Sequence, residues 1–182
     1  GAEHPDTLAT RGDLALVHHD AGRTDHALSL LEATLADRAR VLGPLHPATL
    51  TSRNNLAVAY REAGRAEEAV PLLEKTFRDR QRMLGPDHVD TAASRVLLIE
   101  VYREEDRLDD IVELLERACV DDERILGPDD AQTVASRAAL AEAYREAGRV
   151  EDAQAVESGR PVGVWMPGRK RAVRRIPRRQ TG

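Results

Sequence analysis

The chain has 182 residues, 41% hydrophobic and 32% charged with a net charge of −5, and this reads as a soluble globular domain. No apolar run approaches the roughly 18 residues that would span a bilayer, and no basic-then-apolar leader opens the chain, so the expected location is cytoplasmic. One Phe, one Trp and three Tyr leave the core to Leu, Val and Ala, which suits close-packed helices better than sheets, and a lone Cys119 excludes an internal disulfide or a thiolate metal cage.

Taken in chain order, the sequence repeats itself. The stretch TSRNNLAVAYREAGRAEEA at residues 51–69 returns as ASRAALAEAYREAGRVEDA at residues 135–153, and the underlying period is 42. Thr7, Thr49, Thr91 and Thr133 fall in phase, as do Leu14, Leu56, Leu98 and Leu140. Such a period marks a stacked array whose units cannot bury their apolar faces alone. The expected units are 1–42, 43–84, 85–126 and an incomplete 127–158, followed by a basic tail at 159–182.

The first unit opens at Gly1-Ala2-Glu3-His4-Pro5 in the middle of an interunit loop, without an initiator Met. The chain is therefore expected to be a piece of a longer array. In the second unit Thr49, Arg53, Leu56, Ala57 and Tyr60 share one helical face, Pro47 suits the first turn, and Gly64 suits the end. A longer helix follows through Ala69, Leu72, Leu73, Phe77, Met83 and Leu84 until Gly85-Pro86, with Pro71 tolerated near its start. Each unit thus reads as helix, tight turn, long helix, loop. Seven full helices, a shorter eighth and no sheet are expected. The fourth unit stops after VEDAQAVES. The tail carries eight Arg or Lys and no acid, leaving 19 basic against 32 acidic residues in the rest. An arm of that charge could meet nucleic acid, an anionic surface or its own acidic repeats, or could be an accident of the coding sequence. Its apolar cluster, Val162, Val164, Trp165 and Met166, is expected to cap the incomplete unit or to touch another chain.

The phrases NNLAVAYREAGRAEEAVPLLEKT and RVLGPLHPATL resemble the 42-residue tetratricopeptide repeat of kinesin light chain and of many bacterial, especially actinobacterial, proteins. The resemblance covers residues 1 to about 157. It implies an all-α, right-handed solenoid of antiparallel helix pairs whose first helices line a concave side that holds a peptide or partner helix. It also implies that paired asparagines on the first helix reach the ligand. Only the second unit keeps both, as Asn54 and Asn55; the others have Gly12-Asp13, Val96-Leu97 and Ala138-Ala139.

Two rows of cations run through the units. Arg11, Arg53, Arg95 and Arg137 share the stripe of the core leucine, so their stems are expected to pack between helices and their heads to meet a carboxylate such as Glu32, Glu74 or Glu116. His19, Arg61, Arg103 and Arg145 fall nearer the groove, each followed by an acid: Asp20, Glu62, Glu104 and Glu146. This second row reads either as a solvated charge row or, in Arg61, Arg103 and Arg145, as contacts for an acidic peptide with an apolar anchor. Glu100 and Glu142 would then set the polarity of that peptide.

Catalysis has no foothold. His18 and His19 diverge on a helix, while His4, His46 and His88 read as loop punctuation. No phosphate-cradling loop occurs, and pairs such as Asp109-Asp110, Asp121-Asp122 and Asp129-Asp130 read as solvated faces or as charge at helix starts. Cys119 shares the apolar phase of Leu35 and Phe77 and reads as core. The expected function is a non-catalytic protein-interaction scaffold, without cofactor or metal. The alternatives are nucleic-acid or anionic-surface binding through the tail, or a structural oligomerising spacer.

Overall fold

The start of every odd-numbered helix is written in one side chain. In the computed structural model, which describes residues 4–86 and 88–160, His4, His46, His88 and Asp130 sit in extended backbone. Each accepts a hydrogen bond from the amide two residues on, at 3.3, 3.2, 3.1 and 2.8 Å. That is an N-cap, satisfying one of the amides that a helix start leaves without a partner. The recurring histidines are helix starters.

From these caps run α1 (Pro5–Asp20), α3 (Pro47–Glu62), α5 (Val89–Glu104) and α7 (Ala131–Glu146). Tight turns return the chain into α2 (Thr24–Val41), α4 (Ala66–Leu84), α6 (Leu108–Ile125) and a shorter α8 (Val150–Glu157). At the second turn the Arg65 amide donates to the Tyr60 carbonyl at 2.8 Å and the Gly64 amide to Arg61 at 2.9 Å. This closure needs a left-handed residue, and Gly64 supplies φ 70°. The third turn has Asp106 in that place, at φ 54°, the one non-glycine with positive φ among the described residues. No strand occurs among the described residues. The chain is an α-solenoid in which each helix packs on the one before and the one after.

Small side chains set how closely each pair packs. Ala15 and Ala27, Ala57 and Ala69, and Ala141 and Ala153 occupy equivalent positions on the two helices of units one, two and four, and all six are 0% exposed. Alanines at a helix crossing allow a short interaxial distance. The third unit has Ile99 and Ile111 there instead, both part of one apolar cluster. Its helices, α5 and α6, touch over far less of their length than the other pairs.

The leucine phase is buried at Leu56, Leu98 and Leu140 but not at Leu14, which is 47% exposed because no helix of the described chain packs on that side of α1. Cys119 is core, as expected, and burial pushes its thiol up to about 11. Val162, Val164, Trp165 and Met166, with nearly all of the basic tail, lie outside the described residues.

Candidate functional site

The odd-numbered helices stand side by side and are joined by a ladder of ion pairs. His19 Nε2 lies 2.7 Å from the Glu62 carboxylate, Arg61 grips Glu104 through Nε and Nη2 at 2.6–3.0 Å, and Arg103 reaches Glu146 at 3.1 Å. Each rung spans 43 residues, one repeat plus one position, which is why a cation followed by an acid recurs in every unit. Arg61 also meets Glu100 at 2.7 Å, and Arg145 pairs with Glu157 of α8. The Glu104 carboxyl is held below its usual range by the Arg61 guanidinium. This row is therefore already matched by the protein's own acids.

Asn54 and Asn55 lie on α3, both half-buried. The Oδ1 atom of Asn54 is buried and accepts no hydrogen bond from the described residues. At the same phase on α5 stands Val96, 55% exposed. An unpaired amide oxygen thus has an uncovered aliphatic side chain at the equivalent position of the next odd helix.

The other arginine row is partly buried, Arg53 most deeply, and its partners differ from those expected. Arg11 donates to Asp37 and Arg53 to Asp79, each at 2.6 Å, and Arg137 to Glu123 at 2.9 Å. For Arg11 and Arg53 the reason is the antiparallel hairpin, in which an arginine near the start of one helix faces the end of the next, whereas Arg137 of α7 reaches back to the end of α6. Asp37 lies five residues, about 7.5 Å, nearer that end than Glu32 does. The glutamates have another task. Glu32, Glu74 and Glu116 accept from the hydroxyls of Tyr60, Tyr102 and Tyr144 in the following unit, at 2.6, 2.9 and 2.7 Å. Arg65, Arg107 and Arg149 cover those rings at 4.3–4.6 Å. Burial, and then the neighbouring carboxylate, raises all three phenols, Tyr60 to about 12. These are joints between units, invisible as pairs in the sequence but readable afterwards as a constant offset of 28.

A second joint links the end of each even helix to the next odd one. Arg38 and Arg80 donate to Ser52 and Ser94 and to a nearby carbonyl. In the third unit Asp122 takes over and accepts from Ser136. Asp122 is 2% exposed, which corrects its reading as a solvated acid. Among the described residues no cluster of His, Cys, Asp and Glu could hold a metal ion, and no helix is long and apolar enough to cross a membrane.

The tetratricopeptide-repeat family profile matches residues 6–82 and 90–157. The chain belongs to the tetratricopeptide-repeat family. Its fold is similar to that of the nearly identical repeats assigned to a kinesin light chain of Podosopora anserina, at 32% identity and a TM-score of 0.73, covering 87% of this chain and 75% of that one. A variant of that same protein, with one residue substituted, matches at 32% identity and a TM-score of 0.71, covering 89% and 77%. BtubC (BKLC) from P. vanneervenii shares the fold at 22% identity and a TM-score of 0.64, covering 95% and 71%. No curated protein matches the chain. Tetratricopeptide repeats generally mediate protein–protein interaction.

Proposed function

We propose that the chain is a non-catalytic scaffold that holds an extended peptide or partner segment along its odd-numbered helices, anchored at the second unit. The observation that carries this reading is the unpartnered Oδ1 of Asn54. A buried acceptor without a donor costs free energy that a ligand amide would recover, and a side-chain amide can both accept from and donate to a peptide backbone. Asn55 adds a second such group one residue on, and Val96 offers contact for an aliphatic or aromatic anchor.

Arg61, Arg103 and Arg145 take part by exchange. An acidic ligand would displace Glu104, Glu146 or Glu157 from a partly solvated pair, and a charge swap of that kind changes selectivity and encounter rate more than affinity. The amide pair therefore supplies the anchor and the cations the preference.

Peptide arrays displaying host-protein segments, followed by titration of the best binders, test this. Asn54→Ala with Asn55→Ala should weaken binding about tenfold or more while leaving the helical circular-dichroism signal intact. Arg61→Gln should have a smaller effect that fades with added salt. If removal of residues 159–182 abolishes binding and the asparagine variants do not change it, the working element is the tail and the groove reading fails.

A further inference from the structure

The third unit holds an opening between its helices. Between α4, α5 and α6 lies a cavity of about 270 Å³, walled by Phe77, Leu98, Leu114 and Ala118 and by the guanidinium-bearing side chains Arg78, Arg95 and Arg117. One feature of the chain accounts for it. Ile99 and Ile111 stand where the other units cross on buried alanines, and the added volume keeps α5 and α6 apart. Arg95 is left behind as a consequence. In its row Arg11, Arg53 and Arg137 all hold carboxylates at 2.6–2.9 Å, whereas Arg95 has no ion-pair partner among the described residues. Asp121, which occupies the place of Asp37 and Asp79 in the third unit, turns instead to Arg124 at 3.2 Å.

We propose that this cleft is a second binding site, separate from the asparagine anchor, that takes a partner segment presenting a carboxylate beside an apolar side chain. The carboxylate would sit on Arg95 where a helix aspartate sits in units one and two. The apolar group would fill the space between Phe77, Leu98 and Leu114 that the isoleucine wedge keeps open. Thr91 lines the same cleft and its buried hydroxyl oxygen has no partner among the described residues, a state it shares with Thr49 and Thr133. Three acids also line the cleft, Glu74, Asp110 and Glu113, and each is engaged: Glu74 with Tyr102 and Arg107, Asp110 with Arg107, and Glu113 with Arg117. The basic tail is a poor occupant, because it carries no carboxylate side chain for Arg95.

The test is an amide-resolved NMR titration of the full chain with 3-phenylpropanoate, which joins a ring to a carboxylate. Its uncharged and cationic analogues, 3-phenylpropan-1-ol and 3-phenylpropylamine, serve as controls. The carboxylate probe should shift resonances in residues 91–98 and 114–118 and bind at least tenfold more tightly than either control. Arg95→Gln should weaken it about tenfold, Ile99→Ala with Ile111→Ala should abolish the response, and Asn54→Ala with Asn55→Ala should leave it unchanged. An absent response, equal affinity for the amine, or binding that survives Arg95→Gln overturns the proposal. So does probe affinity that rises when residues 161–182 are removed, which would make the tail the occupant. Shifts in the same residues that follow protein concentration without probe would make it a second copy and also overturn the proposal. Because the asparagine variants are silent in this assay, its failure leaves the groove reading standing, and the reverse.

Discussion

The second and third units are built to one plan and differ in what fills the crossing of their helices. In the second, Ala57 and Ala69 bring α3 and α4 together, and Arg53 is buried against Asp79, the two side chains 6% and 12% exposed. In the third, Ile99 and Ile111 hold α5 and α6 apart, and Arg95 stays without a carboxylate among the described residues. The lesson is that an ion pair here depends on packing. The same arginine at the same phase is locked or released according to whether two methyl-sized groups or two butyl groups separate the helices.

The sharpest way to break that comparison is to remove the two arginines one at a time. Arg53→Ala leaves Asp79 buried without its main partner and should cost about 3 kcal/mol. Arg95→Ala should change stability by no more than about 0.5 kcal/mol, the range of a surface substitution. Equal losses in urea unfolding would mean that Arg95 has a partner after all.

A second experiment transplants the wedge. Ala57→Ile with Ala69→Ile overpacks a close crossing and should cost about 1–3 kcal/mol while loosening Arg53 from Asp79. Amide exchange should quicken in α3 and α4. If exchange there is unchanged, isoleucine at the crossing does not explain the third unit.

The tyrosine joints offer a smaller effect with a defined pH window. The Tyr60 phenol is raised from 10.0 to about 12 by burial and by the Glu32 carboxylate, so the folded state favours the protonated form. Its contribution is complete below pH 10 and is lost as pH rises from 10 toward 12. Thermal melts should show that decline, and Tyr60→Phe should remove part of it, at a cost of about 1 kcal/mol at neutral pH. The smallest change concerns the third turn. Asp106→Gly relieves a left-handed backbone, φ 54°, and should stabilise by about 0.5 kcal/mol, a gain that no equivalent change could give at Gly64. A melting temperature that falls would count against strain at Asp106.

The period, the helix pairs and the short eighth helix were legible because each rests on local rules: helical spacing, helix-breaking Gly-Pro and in-phase landmarks. Partners across helices were harder. Arg53 could be seen to share the leucine stripe, but choosing Asp79 over Glu74 requires knowing how far along an antiparallel neighbour the head reaches. The Arg61–Glu104 rung looked like two solvated charges because the pair forms between units. The cleft was missed although a signal lay in plain sight. Aligning the four units places Ile99 beside Ala15, Ala57 and Ala141, and Ile111 beside Ala27, Ala69 and Ala153. At these two crossing positions the third unit departs from the repeat.

The ladder between the odd helices has a mechanical consequence. Its rungs are partly solvated, with the Arg61 and Glu104 side chains 25% and 50% exposed, and exposed ion pairs weaken as salt is added. The buried links from even to odd helices, such as Arg80 to Ser94, are far less sensitive. Added salt should therefore weaken the contacts between odd helices first and leave the buried links between even and odd helices in place.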